Sequence, residues 1–171
     1  MTAKDMVDEA ENNKYQVVTI PDSIRDRIRG MHDASGSPIR DLEQFKKELN
    51  ESFEFKFIAP KDMSSTEKAV LGMTDAILNL VNGKPKEVKE IRISETMRRE
   101  THSFEEASGL WEQTTGRIII KRDQLRSLED YAGTLLHEIA HARSNALDIS
   151  RDFEKELTSF LGLISSKVAS S

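Results

Sequence analysis

The sequence predicts an α+β fold in which a small mixed sheet packs on a scaffold helix and two further helices close the C-terminal half. Three patterns carry that expectation. Val70, Leu71, Met73, Ala76, Ile77, Leu80 and Val81 recur at helical spacing. The stretches Phe53-Glu54-Phe55-Lys56-Phe57-Ile58 and Ile118-Ile119-Ile120 have strand character, the first by alternation and the second by its β-branched run. Phe153, Leu157, Phe160, Leu161, Ile164 and Val168 recur at i, i+4, i+7, i+8, i+11 and i+15, which marks an amphipathic closing helix.

Taken in order, residues 1–40 are polar and poorly periodic apart from Tyr15-Gln16-Val17-Val18-Thr19-Ile20-Pro21, and they read as a linker or partly ordered arm ahead of a domain over 41–171. A short helix is expected around Leu42–Leu49. The 53–58 strand then runs into Pro60. Ser64 or Ser65 can cap the scaffold helix with Glu67 as capping-box partner, and Asn82-Gly83 ends it. Beyond Gly83-Lys84-Pro85, Val88–Ile93 alternates as a second strand. Thr115-Gly116 separates Leu110-Trp111-Glu112 from the isoleucine run, as in a hairpin or a pair of edge strands. Ser127, with Asp130 three residues on, caps a helix running to about Asn145, and the closing helix begins near Ser150.

Composition narrows the function. The 171 residues suit one ordinary domain with some extra segment. Charged residues make up 32% and the net charge is −5, with both signs interleaved, which argues against a surface that tracks nucleic-acid phosphates. With no cysteine, any metal must be held by His, Asp or Glu. The first ten residues are acidic and lack an apolar core like that of a signal peptide, and no apolar run approaches the roughly 18–20 residues of a membrane span. A cytoplasmic protein is expected, with neither nucleic acid nor membrane as partner.

His137-Glu138-Ile139-Ala140-His141 is a complete HExxH motif inside the helix that Ser127 caps. Histidines four apart lie one above the other on a helix, so both imidazoles can reach one Zn²⁺ while Glu138 lies beside them to take a proton from water. On a helical wheel Leu128, Tyr131, Ala132, Leu135, Ile139, Ala142 and Ala146 share one side, and His137 and His141 fall on the other. The expected chemistry is zinc-dependent hydrolysis of peptide bonds, with Glu138 as general base.

A hydrolytic zinc site needs a third protein ligand and one open position. The downstream carboxylates are Asp148, Asp152, Glu154 and Glu156. On the wheel of the closing helix Glu154 sits nearest the apolar face, and it is the expected ligand; Asp148, seven residues after His141, is the alternative. Among donors for a tetrahedral intermediate, His102, Tyr131 and Arg143 are candidates that no spacing separates, and His32 is weaker. The Leu110–Lys121 segment could receive an extended substrate at a sheet edge. Equally, it could be a structural hairpin with Trp111 in the core.

The motif, its helix, the strand before it and the acidic helix after it resemble a compact zincin metallopeptidase of the gluzincin kind. Ile93-Ser94-Glu95-Thr96-Met97-Arg98, Gly116-Arg117-Ile118-Ile119-Ile120-Lys121-Arg122 and Thr134–Ala142 resemble a metallopeptidase-like module. That module is found at the C-terminal end of bacterial proteins carrying a histidine-kinase-like ATPase domain. The resemblance covers about 53–165 and implies a minimal zincin-like fold, His137 and His141 as ligands, Glu138 as base and an acidic third ligand from the last helix. It favours Glu154, although the 12 residues between His141 and Glu154 are fewer than in larger gluzincins. It further implies that residues 1–40 link to an ATPase domain in a longer protein. Two functions follow from it: an active zinc peptidase acting on a peptide or protein, or a non-catalytic regulatory or binding module of an ATPase-containing protein. The intact Glu138 favours the first.

Overall fold

A computed structural model describes residues 3–51, 53–98 and 106–170. The chain divides into two compact units, one formed by 1–54 with 98–106 and the other by 55–97 with 107–171. The expected boundary after residue 40 falls inside the first unit.

In that first unit, α1 (Ala3–Asn12), α2 (Asp22–Ile28) and α3 (Leu42–Glu51) are helical. Met6 and Ala10 of α1 pack with Phe45 of α3 in a small core, joined by Val17 and Leu42. The segment read as a linker or partly ordered arm therefore contributes apolar side chains to a packed cluster. Its turn-rich stretch is organised by Asp33, whose Oδ1 accepts the backbone N–H groups of Ser35 and Ser37 at 2.8 and 2.9 Å.

The second unit is α+β with a small mixed sheet, as the sequence predicts. Strands β1 (Glu90–Ser94), β2 (Gly109–Glu112) and β3 (Arg117–Lys121) form one sheet in the order β1-β3-β2. β1 runs parallel to β3, with Glu90 opposite Arg117; β2 runs antiparallel to β3, with Trp111 opposite Ile118. The β2–β3 connection closes on Gly116 at φ +71°, whose N–H donates to Glu112 O at 2.9 Å. β2 and β3 do form the expected hairpin, but β3 is the central strand and not an edge. Ile118, Ile119 and Ile120 are all fully buried, so the run reads as continuous because both faces of the strand are covered.

Residues 53–58 depart from expectation. Among the described residues they form no ladder, meeting β1 at the single bridge Phe57–Ser94 and through Ile58 N–H to Ile93 O at 3.0 Å. The alternation is present, yet Pro60 opens a 3₁₀ turn (Pro60–Asp62) before pairing can extend. The scaffold helix is also divided, into α4 (Ser65–Gly72) and α5 (Thr74–Leu80), at Met73 with φ −80° and ψ −2°.

The expected capping box opens α4. Ser64 Oγ accepts from Glu67 N–H at 3.2 Å, and Glu67 Oε2 accepts from Ser64 N–H at 2.6 Å. Glu67 also accepts from Arg122 Nε at 2.6 Å, which ties α4 to the 3₁₀ turn Arg122–Arg126 after β3. The Arg122 hydrogen bond first, and then the Ser64 N–H, hold the Glu67 carboxyl well below its ordinary value, at about 2. A depressed carboxyl stabilises the fold above its unfolded value of 4.5, and that contribution disappears as pH falls from 4.5 toward 2. Glu67→Gln keeps the capping box but turns the charge-assisted bond to Arg122 into a neutral one, and is expected to lower stability at pH 7 by about 1–2 kcal/mol and to narrow the gap from wild type below pH ~4. Urea unfolding at pH 7 and pH 3 measures this; equal gaps at both pH values would count against it.

α6 (Leu128–Ser144) packs on β2 and β3, and α7 (Arg151–Ala169) packs on α6 and α5. Tyr131, Leu135, Ile139 and Ala142 of α6 enter the common core with Ile118, Ile120, Val81, Phe153 and Phe160. Among the described residues no helix is long and apolar enough to cross a membrane.

Candidate metal centre

Local signals fix the helix that carries the motif. Ser127 Oγ accepts from Asp130 N–H at 3.0 Å at the N-terminus, and Asn145, at φ +51°, caps the C-terminus with its N–H on His141 O. Asn tolerates this left-handed conformation better than most residues, and the chain reverses there. Ser150 then caps α7, accepting from Phe153 N–H at 3.2 Å. Only Ala146–Ile149 lie between the two caps. That short return carries Asp148 back over the last turn of α6.

Three ligand atoms meet as a result. His137 Nε2 and His141 Nε2 are 3.2 Å apart, and Asp148 Oδ1 lies 2.9 Å from each. A tetrahedral zinc with bonds of roughly 2.0–2.1 Å would have ligand–ligand edges of about 3.3 Å. The observed triangle is close to one face of such a tetrahedron.

The hydrogen-bond chemistry points the same way. His141 Nδ1 lies 2.9 Å from Ala146 O, a carbonyl that can only accept, so the proton belongs on Nδ1 and the Nε2 lone pair faces the cluster. Two ring nitrogens and a carboxylate converging on one point repel one another unless a cation or a proton sits among them. The Ala146 carbonyl plays the orienting part that metal-binding histidines commonly require. Phe153, itself buried, packs its ring on both imidazoles, with centroids 4.4 Å from His141 and 4.9 Å from His137. His141 is largely covered while His137 and Asp148 remain open to solvent, so the cluster has a closed side and an accessible side.

Glu138 lies in a different environment. Only 5% of it is exposed, and its carboxylate accepts the backbone N–H of Trp111 on the edge strand β2. Burial pushes the carboxyl up to about 8, the Asp148 charge adds to the rise, and the Trp111 N–H opposes it. Gly109 makes room for this side chain: a Cβ there would lie 2.6 Å from Glu138 Oε1 and 2.7 Å from Thr134 Cγ2.

The expected residues thus divide. His137, His141 and Asp148 come together, with Glu138 beside them. Glu154 is exposed and does not join the three, because the first turn of α7 turns Phe153 rather than Glu154 toward the imidazoles. Glu156 is 3.4 Å from Arg143, and Asp152 is paired with Lys155. Two of the expected oxyanion donors are engaged elsewhere. The Tyr131 hydroxyl, fully buried, is 2.6 Å from Thr74 Oγ1, and Arg143 Nη2 donates to Val81 O and Gly83 O at 2.6 and 2.9 Å. His102 lies outside the described residues. Gly109 and the Ala146 carbonyl gave no sequence signal, since each acquires its role from a neighbour brought in by the fold. No family model matches the chain, and no curated protein or solved structure matches it, so the site is read from its own geometry.

Proposed function

We propose that the chain is a zinc peptidase of minimal zincin-like fold whose metal is held by His137, His141 and Asp148. The observation that carries this reading is the convergence of Nε2, Nε2 and Oδ1 within 3.2 Å of one another on one turn of helix and its return loop. A zinc ion bound there supplies Lewis acidity, lowering the pKa of a water toward about 7 and polarising a carbonyl. The chain's own residues do the rest. Glu138 accepts the proton of the attacking water and returns it to the leaving amine nitrogen. Phe153 shields the rear of the imidazoles, and the Ala146 carbonyl holds His141 with its Nε2 lone pair free. A nearby cation favours the charged carboxylate, which offsets the burial that otherwise keeps Glu138 protonated.

One observation favours the second reading, a metal-holding regulatory module. Glu138 also caps the Trp111 N–H of an edge strand, a role that needs no catalysis. Glu138→Gln separates the two, because the amide oxygen can still accept that N–H but cannot take a proton. Metal-loaded wild type is expected to cleave an unstructured protein such as reduced casein. Glu138→Gln should keep its zinc and lose the cleavage rate by roughly 10²–10⁴-fold, the usual worth of a general base. Zinc content by atomic spectroscopy and fragment release by mass spectrometry measure both. Wild type that holds no zinc defeats both readings; zinc without Glu138-dependent cleavage leaves the regulatory module.

A further inference from the structure

The loop that returns Asp148 to the histidines presents two large apolar side chains to water. Leu147 is 84% exposed and Ile149 is 89% exposed, the two highest values among the exposed large hydrophobics of the described residues. Scattered apolar residues on a surface need no explanation. These two are not scattered, since they stand immediately before and after the proposed metal ligand. So short a connection between two helices would ordinarily be built from Gly, Ser, Asn or Asp. Its only core contact runs through Ala146, which packs on the main apolar cluster, and neither Leu147 nor Ile149 joins that cluster. Folding does not account for them.

Their presentation is fixed. Ala146 O is 2.9 Å from His141 Nδ1, and Ser150 N–H donates to Leu147 O at 3.1 Å, closing a turn over Leu147–Ser150. The helix caps at Asn145 and Ser150 hold both ends. An apolar surface on a rigid turn is pre-organised, so an occupant gains from burial without the cost of ordering the loop.

The size and place of the patch select the occupant. Two side chains fall far short of the roughly 1,000 Å² that a stable protein interface buries, but they match one or two side chains of a peptide. Each flanking Cα is one residue, about 3.8 Å, from the Cα of Asp148, and an extended peptide advances roughly 3.3–3.6 Å per residue. Both side chains thus flank the residue that would hold the metal, near the bond that the metal would act on.

We propose that Leu147 and Ile149 are specificity-determining residues that select peptides carrying a bulky apolar side chain beside the scissile bond. The proposal rests on the peptidase reading of the same site. Its test is chosen to fail separately. Zinc-loaded Glu138→Gln, unable to turn over, is titrated with two fluorescein-labelled peptides identical except for a central Leu-Leu or Ser-Ser. The Leu-Leu peptide should bind roughly tenfold tighter, as burial of about one apolar side chain implies. Adding Leu147→Ser and Ile149→Ser should erase that preference while zinc content stays unchanged. Ile149→Ser alone should reduce it. In parallel, the cut sites of wild type on reduced casein should cluster beside Leu, Ile, Val and Phe, and the Leu147→Ser/Ile149→Ser variant should lose that clustering. Equal binding of the two peptides, or a preference that survives both serines, overturns the proposal. Leucine preference in Glu138→Gln without cleavage by wild type leaves the recognition surface standing and removes the peptidase reading instead.

Discussion

Asp148→Ala is expected to weaken zinc binding by more than about a hundredfold, beyond the 10–100-fold typical of residues that only orient a ligand, whereas Glu154→Ala keeps wild-type affinity. Asp148 Oδ1 lies 2.9 Å from both ring nitrogens, and its removal leaves two imidazoles with no anionic partner. The side chain is exposed, so its truncation opens no cavity and the variant should fold. Asp148→Asn preserves shape and removes charge, and should fall between the two. Competition against a chromogenic zinc chelator measures all three, with far-ultraviolet circular dichroism as the control for folding. Release of zinc by Glu154→Ala with retention by Asp148→Ala would restore the ligand favoured by the helical wheel and remove the one proposed here.

Why the wheel pointed to Glu154 explains how far the site was legible. HExxH is a local statement, and α6 carries it out: i, i+4 spacing on a capped helix brings the two imidazoles together whatever surrounds them. The third ligand depends on events between helices. Asn145 enters the left-handed region and Ser150 begins α7 five residues later, and together these set both the return of Asp148 and the rotation of α7. A wheel drawn for α7 ranks its own residues but carries no information on a loop residue outside it. Glu154 follows Phe153 in sequence but lies about 100° from it on that wheel, and it is Phe153 that meets the imidazole rings.

The fold was legible to a similar depth. The caps at Ser127 and at Ser64 or Ser65 were readable because such a cap joins residues three apart, and the start of α7 was placed near Ser150, which the structure shows to be its cap. Strand pairing was less so, since it joins distant residues. Three consecutive isoleucines fit an edge or a centre equally well until both faces of β3 are seen to be covered. Phe53–Ile58 has the alternation of a strand but meets β1 at one bridge only, and alternation alone does not say how many partners a segment will find. Residues 1–40 lack a repeating apolar pattern. Yet Met6 and Ala10 are enough to seat α1 against Phe45, because a cluster needs only a few matched side chains.

Gly109→Ala is expected to lower both the cleavage rate and the stability of the second unit through a single methyl group. Gly109 is not among the positive-φ glycines, so its strand backbone accepts an alanine and the consequence is steric. The new Cβ would lie 2.6 Å from Glu138 Oε1, 2.9 Å from Glu138 Cγ and 2.7 Å from Thr134 Cγ2. The carboxylate oxygen alone could swing aside, but Cγ is near the root of the side chain and can retreat only if Glu138 changes rotamer or α6 draws back from β2. Either movement displaces the proposed base by about 1 Å, which costs on the order of 10²-fold in kcat. Overpacking should add about 1–3 kcal/mol of destabilisation. His137, His141 and Asp148 are not among the atoms nearest that Cβ, so zinc should stay bound. A compensating variant isolates the cause. Thr134→Ser removes the clashing Cγ2 and keeps a hydroxyl for Gln124 Oε1, now 3.0 Å from Thr134 Oγ1. In the Gly109→Ala/Thr134→Ser pair, thermal stability should partly recover while kcat stays low, because the contact with Glu138 remains. Cleavage at the wild-type rate by zinc-loaded Gly109→Ala would show that Glu138 tolerates displacement, and its assignment as the base would have to be given up.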